Sequence, residues 1–460
     1  MSTRASASEP AGGDLRGVAA RVVAWNILRR VNRDAAWTGP AVDAALRDSG
    51  LDARDRAFAA NLAFQTLRWR GTVDWALGQV VRRQLDDVEP DLLDVLRLGA
   101  WQLLYGQVPD RAAVSTAAEV GRAVLPARTV GFINGVLRGL ARRKGSLPWP
   151  DSDTVAGRAL RLGYPTWIVA AADERFGADA DRELEAGNRP PDLTVRLHAP
   201  DPRIRADLTE AGATVTDGQL ASEALRVNGI APGALTAAFG DRLVIQDESS
   251  MVVGRTVAAV ADPGAVVLDV CAAPGGKSTH LAELGLRVTA ADRHPGRLRR
   301  VAELADRLGL SLATVVADGT RPPWGPGVFD GVLLDAPCSG LGVVRRRPER
   351  RWRRDAGDIA ALAALQSRLL SASAACVAPG GALVYSVCTW TRQETVDVVE
   401  RFLAQTPAFA MEAVPGMLRS AAPGPGLQLS SAAHGSDGMF IAVLRRGPDP
   451  AVASVELVGD

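Results

Sequence analysis

The chain is predicted to be multi-domain: an all-α region, a small α+β segment, and a doubly wound, Rossmann-like α/β domain. Three observations predict this. Apolar residues recur at helical spacing from residue 14 to about 145. Residues 146–240 open with the proline-bearing stretch Ser146-Leu147-Pro148-Trp149-Pro150-Asp151-Ser152 and then mix helix and strand patterns. From 241 to 447, strand and helix patterns alternate. The ends, 1–13 and 448–460, read as tails, the first disordered, Ser/Ala/Gly-rich and without an apolar signal core.

Composition narrows the class. With 460 residues and 47% apolar content, two or three packed cores are expected. Net charge is +1, so a basic binding surface must be local. The four cysteines, Cys271, Cys338, Cys376 and Cys388, lack both disulfide-framework and zinc-ligand spacing, so neither a disulfide scaffold nor a bound metal is expected. No stretch of about 20 apolar residues is read as spanning a bilayer, and a cytoplasmic protein is expected.

In the first region, Val18, Val22, Trp25 and Leu28 stripe one helix, and Leu92, Leu96 and Leu103 another, with Pro90 suited to its first turn. Phe132, Ile133, Val136, Leu137 and Leu140 stripe a third, which ends in Arg142, Arg143 and Lys144 as a helix C-terminus favours. The middle segment reads as helical near 154–187, with strands near 192–197, 213–216 and 222–227. In the last region the strands are Val266–Val270, Leu286–Ala291, Leu312–Ala317, Val328–Leu334 and Ala382–Val387. Their continuous apolar runs predict a parallel sheet covered on both faces.

Ligands of such a sheet lie beyond the carboxyl ends of its strands. The first end is Asp269-Val270-Cys271-Ala272-Ala273-Pro274-Gly275-Gly276-Lys277, small residues that let backbone N–H groups approach a ligand. The second is Asp292, placed to hold ribose hydroxyls. Asp318, Asp335-Ala336-Pro337-Cys338 and Tyr385-Ser386-Val387-Cys388 follow. Four acids and two cysteines at successive strand ends read as a nucleoside-cofactor site beside a nucleophile. Cys271–Ser278 nearly matches the phosphate-cradling loop, but Cys271 replaces its first glycine and Pro274 removes a donor. A nucleotide hydrolase would also leave both strand-end cysteines without a role. Only two of the 53 basic residues are lysine, Lys144 and Lys277, which singles out the lysine in the loop.

These motifs resemble the RNA cytosine-5 methyltransferases of the Nol1/Nop2/Sun family. The residues that carry the resemblance are Leu268 to Lys277, Asp335-Ala336-Pro337-Cys338-Ser339-Gly340 and Tyr385-Ser386-Val387-Cys388-Thr389. Gly131-Phe132-Ile133-Asn134-Gly135-Val136-Leu137-Arg138 resembles the NusB-like RNA-binding domain of its RsmB/Sun branch. Gln246-Asp247-Glu248-Ser249-Ser250 and His434 to Phe440 fit that branch too. The resemblance implies S-adenosyl-L-methionine as cofactor. It also implies small-subunit ribosomal RNA as substrate, free or in an assembly intermediate, with no obligate protein partner evident. It implies that Cys271, Ala272, Ala273, Pro274, Gly275, Gly276 and Lys277 hold the methionine part, Asp292 the ribose and Asp318 the adenine side, with Asp335 near the sulfonium and the base. Cys388 matches the nucleophile position and Cys338 the product-releasing cysteine. The family usually has Thr-Cys-Ser around the nucleophile; Val387 departs from it, which implies altered hydrogen bonding there.

The chemistry suits a thiolate. Adding Cys388 to carbon 6 of cytosine turns the ring into an enamine whose carbon 5 attacks the methyl group. Asp335, raised by burial, is the expected proton donor near ring nitrogen 3. Cys271 and Cys376 read as small buried residues. Directly after the Cys338 loop, Val344 to Arg354 holds seven arginines and one acid. Arg345, Arg346, Arg347, Arg350 and Arg351 are the expected phosphate contacts and Trp352 a stacking surface, with Arg138, Arg142 and Arg143 as an extension. The middle segment reads as a small RNA-recognition-like platform without strand aromatics. Two other functions fit parts of the pattern. A DNA cytosine methyltransferase would use the Pro337-Cys338 cysteine, and a non-enzymatic RNA-binding factor would keep only the scaffold.

Overall fold

The computed structural model describes residues 14–448; the tails expected at 1–13 and 448–460 lie outside the described residues, Pro448 apart. The chain forms two compact units. One runs to Val169 and also contains Arg347–Trp352; the other runs from Ala170 to Arg346 and resumes at Arg353.

The first unit is helical. Helices Asp14–Asn32, Ala53–Arg68, Pro90–Leu104, Asp110–Val124 and Val130–Arg143 pack around Ile27, Leu28, Leu62, Leu96, Ile133 and Leu137, all fully buried. Leu28, Leu96, Ile133 and Leu137 are among the striped positions, because only the apolar face of each helix can leave water. Pro90 occupies the first turn of its helix, and the Glu89 side chain accepts from the Leu92 N–H at 3.1 Å to cap it. Charged groups also enter this unit's interior, Arg97 and Asp94 among them. Arg97 donates to both oxygens of Asp74 at 2.7 and 2.8 Å and to Asp94 at 2.9 Å, so its burial is compensated.

The second unit begins in helix, through Phe176 and over Ala180–Ala186, and continues into a four-stranded antiparallel sheet. Its strands are β1 (Leu193–Leu197), β2 (Thr214–Asp217), β3 (Ala224–Asn228) and β4 (Leu243–Ile245), in the order β2-β3-β1-β4. Helices Ile204–Glu210 and Pro232–Phe239 complete a βαββαβ arrangement around Val195, Leu208, Val227 and Leu235. At three residues, β4 was too short to show in the pattern.

The larger sheet contains β5 (Val266–Asp269), β6 (Arg287–Asp292), β7 (Ala313–Val316), β8 (Phe329–Asp335), β9 (Val377–Val387), β10 (Phe409–Glu412), β11 (Leu427–Leu429) and β12 (Met439–Arg446). Strands β7-β6-β5-β8-β9 are parallel, as expected. The sheet as a whole is mixed, which corrects the all-parallel expectation: β12 runs antiparallel beside β9, with β10 and β11 paired to it. Residues Phe440 to Leu444 are buried on both sides, so this strand carries the same apolar signature as a parallel one.

One helix also corrects the membrane reading. Ala356–Cys376 is long and apolar enough, by length and composition, to cross a bilayer. Its residues Ala363, Leu369, Leu370, Ala374 and Cys376 instead pack into the core around β8 and β9.

Candidate active site

All the strand-end residues meet at one edge of the larger sheet. After β5 the chain turns through Cys271–Gly275 into helix Gly276–Glu283. Gly275 has φ +106°, and a Cβ there would lie 3.0 Å from the Val301 backbone, so this turn needs glycine. Asp269 is buried and accepts from Ser278 Oγ at 2.6 Å, while its other oxygen has no hydrogen-bond partner among the described residues. Burial pushes its carboxyl up to about 7, despite the Ser278 hydrogen bond. The Cys271 thiol is pushed well above its ordinary range by burial and by the nearby charges of Asp269, Asp335 and Asp292. A thiol held neutral in this way suits packing rather than attack.

Asp292 ends β6 buried. One oxygen accepts the His294 N–H at 2.9 Å, and the other lies 3.7 Å from Arg297. Asp318 is exposed at the neighbouring end. Hydrogen bonds from the Thr320 N–H and hydroxyl, at 2.9 and 2.8 Å, hold its carboxyl below the usual range. Both acids therefore keep part of their acceptor capacity for a ligand.

The reactive groups stand at the ends of β8 and β9. Cys338 Sγ and Cys388 Sγ are 3.3 Å apart. Asp335 accepts Lys277 Nζ at 2.8 Å on one oxygen and Ser386 Oγ at 2.9 Å on the other. Burial alone would depress Lys277, but the charge and hydrogen bond of Asp335, with a smaller contribution from Cys388, raise it above its ordinary value. This corrects the expectation of a buried acid at 335: the side chain is ion-paired and 28% exposed. The lysine singled out by its rarity is what pairs with it.

Val387 is fully buried in the apolar core beside Phe440, where a hydroxyl would need a partner. The hydroxyl that organises this segment is on Thr389, 2.8 Å from Ser339 Oγ. Two glycines then bring the late loop onto the cysteine loops. Gly342 N–H donates to Cys388 O at 3.1 Å, and Gly438 N–H donates to Gly342 O at 2.8 Å. A Cβ on Gly342 would collide with Gly438 O at 2.0 Å.

The chain matches a family model for the 16S rRNA methyltransferase RsmB/F over residues 258–445, and the NusB family over residues 18–142. It is 38% identical over 447 residues to a putative methyltransferase of Mycobacterium tuberculosis, covering 93% of this chain and 96% of that one. It is 31% identical over 455 residues to the probable ribosomal RNA small subunit methyltransferase B of Bacillus subtilis, covering 94% and 100%. The chain belongs to the RsmB/F methyltransferase family. Among solved structures, PH0851 superposes with a TM-score of 0.82 at 22% identity, covering 96% of this chain and 100% of that one, which shows a shared fold. The NSun6 structure from Pyrococcus horikoshii, with SFG, has a TM-score of 0.55 at 21% identity over 62% of this chain and 99% of that one, again a likeness of fold. As a member of the RsmB/F family the protein is an S-adenosylmethionine-dependent methyltransferase, with a NusB-type helical region ahead of the catalytic domain.

Much of the arginine run is engaged within the protein. Arg345 lies 3.3 Å from Asp437, and Arg346 bridges Asp437 at 2.9 Å and Asp247 at 2.7 Å. Asp437, raised by burial and by Asp247 to about 6, and Asp247 belong to the two other family-like motifs, so those motifs join here. Arg351 is fully buried in the helical unit. It lies 3.7 Å from the Tyr164 ring centroid and donates to Gly163 O at 3.0 Å and Arg68 O at 3.3 Å. Trp352 donates its indole N–H to Leu67 O at 2.6 Å, with its ring against Gly71. An arginine without solvent cannot meet a phosphate, so burial withdraws Arg351 from the expected track. Arg350 is half-buried near Trp37, and Arg347 is exposed.

Sequence reasoning missed three residues that build the site. Ser386 hydrogen-bonds Asp335. Arg196 on β1 reaches helix Gly276–Glu283 through Gly276 O at 2.6 Å and Glu283 at 2.7 Å. Glu394 lies buried behind both cysteine loops. Its available signal was a lone acid in the hydroxyl-rich run Thr389, Thr391, Thr395.

Proposed function

We propose that this protein methylates carbon 5 of a cytosine in small-subunit ribosomal RNA, with Cys388 as nucleophile. The observation that carries this reading is the pair of thiols 3.3 Å apart beside the Lys277–Asp335 ion pair, next to a glycine turn of the kind that holds a nucleoside cofactor. The small-residue turn at 271–277, the Asp269 oxygen without a partner among the described residues, and the remaining acceptor capacity of Asp292 and Asp318 fit S-adenosylmethionine, which supplies an electrophilic methyl group.

The chain's own residues do the rest. Lys277 gives the Cys388 thiolate a counter-charge. Cys388 Sγ bonds to carbon 6 of the base, and the displaced ring electrons make carbon 5 nucleophilic. Lys277 and Asp335 together offer a donor and an acceptor to the base edge where negative charge collects. After methylation, Cys338 takes the proton from carbon 5, the electron pair reforms the double bond, and the bond from Cys388 to carbon 6 breaks. The target base must leave any duplex, because stacking hides carbon 6. Arg347 is the exposed member of the run that would reach RNA phosphates.

The test is transfer of labelled methyl to small-subunit RNA by wild type, Cys388→Ser and Cys338→Ser. Cys388→Ser should be inactive, and Cys338→Ser should accumulate a covalent protein–RNA adduct. An adduct that appears with Cys388→Ser reverses the two roles. Methylation at any position other than carbon 5 of cytosine rejects the reading.

A further inference from the structure

We infer that Glu394 is the positioning residue that sets the spacing of the two thiols. This rests on the reading that both cysteines act on the base. Glu394 is fully buried on the short helical turn Arg392–Glu394. Its carboxylate receives hydrogen bonds from the Cys338 loop, the segment after Cys388 and helix Ala356–Cys376. Oε1 accepts the Ser339 N–H at 2.8 Å and Gln366 Nε2 at 3.1 Å. Oε2 accepts Ser339 Oγ at 2.5 Å and Thr391 Oγ1 at 2.8 Å. Ser339 follows Cys338 directly, and its hydroxyl also meets that of Thr389, which follows Cys388 directly. Gln366 uses the same amide nitrogen to hold Pro337 O at 3.0 Å, just before Cys338. The Glu394 main chain is fixed as well, since its carbonyl accepts Tyr385 OH at 2.7 Å from within β9.

One carboxylate is thus the common reference for the residues before and after Cys338 and after Cys388. Oε1 faces two groups that only donate, the Ser339 N–H and the Gln366 amide nitrogen, and Oε2 receives hydrogen bonds from the Ser339 and Thr391 hydroxyls, so both oxygens are used as acceptors. An amide nitrogen in the place of Oε2 could no longer accept from the Ser339 and Thr391 hydroxyls, which would have to turn, and in the place of Oε1 it would face two donors where water cannot compensate. The cysteine loops would then separate, while the cofactor turn at 271–277, which makes no hydrogen bond to Glu394 among those identified, would keep its shape.

The experiment compares wild type, Glu394→Gln and Glu183→Gln. Glu183 is a second buried glutamate that accepts backbone N–H groups, from Ser431 at 3.1 Å and Ala432 at 2.9 Å, and neither residue belongs to a cysteine loop. The first readout is independent of RNA chemistry. Diamide removes two hydrogens from a pair of thiols, joining them as a disulfide while the reagent becomes a hydrazine. The rate of the Cys338–Cys388 disulfide, followed by peptide mass, reports how well the thiols are placed. Glu394→Gln should slow it about tenfold or more and lower kcat about 100-fold, with KM for cofactor and RNA within about twofold of wild type. Glu183→Gln should leave the disulfide rate unchanged.

If Glu394→Gln forms the disulfide as fast as wild type, or if Glu183→Gln slows it equally, the inference is overturned. A slowed disulfide in an enzyme whose wild type methylates no cytosine keeps the positioning role and removes the proposed reaction instead. Should Glu394→Gln not fold, Ser339→Ala removes one of the same hydrogen bonds, and an unchanged disulfide rate there also overturns the inference.

Discussion

Lys277 and Asp335 show how much a single pair can set. The ammonium stands 2.8 Å from the carboxylate and close enough to Cys388 for its charge to be felt. Lys277→Met removes this charge from the reacting edge, and methyl transfer is expected to fall about 100-fold or more while cofactor binding by calorimetry persists. Lys277→Arg should not restore it, since a planar fork cannot occupy the site of a compact ammonium. Asp269 sets a pH dependence. Burial raises its carboxyl from the ordinary value to about 7, so the folded state favours the protonated form. Its contribution to stability is complete below about pH 4 and is lost as pH rises through about 7. The urea midpoint of the ligand-free protein should carry this downward component across that window, and Asp269→Asn, which cannot titrate, should flatten the slope. The slope that remains includes Asp437, which is raised in the same direction to about 6.

At the scale of elements, the informative case is the segment Arg345–Trp352. Its sequence is a dense positive run, expected to serve as one phosphate-contacting track. The structure separates its members by burial. Arg351→Ala should cost about 2–4 kcal/mol of stability in thermal melts, because it empties a buried site and leaves the carbonyls of Gly163 and Arg68 without that donor. Arg347→Ala, which gives up an exposed contact 5.5 Å over the Trp37 ring, should shift the melt far less than Arg351→Ala and reduce the salt dependence of RNA binding by about one counterion in filter-binding assays. Equal effects of the two substitutions on stability would contradict this division. The site's strand ends were legible because continuous apolar runs stop abruptly at Asp269, Asp292, Asp335 and Cys388. The supports from Arg196, Ser386 and Glu394 were not legible. Each acts across a large gap in sequence or from a turn, and no periodicity marks such a contact.

At the scale of the molecule, the helical unit is not one stretch of chain, since it includes Arg347–Trp352. Glu349 accepts the Thr38 hydroxyl at 2.6 Å and the Thr38 N–H at 3.1 Å, both buried. A fragment that ends at Val169 loses these partners together with Arg351 and Trp352. It should therefore melt below the same helices in the full chain, and a peptide of residues 345–354 added in trans should raise its midpoint. A fragment as stable as the intact unit, with no response to the peptide, would show that the inserted segment adds nothing.

The sequence by itself determined the order of the regions, the helical stripes, the five parallel strands and the acids and cysteines at their ends. These depend on local periodicity and on where an apolar run breaks, which neighbouring residues encode directly. Only the tertiary structure decided that Asp335 is ion-paired, that the last strand returns antiparallel, that the arginine run is divided between interior and surface, and that one buried glutamate connects the two cysteine loops. Each of these depends on which distant group a side chain meets once water is excluded, and a charge reads the same in sequence whether it will face solvent or a partner.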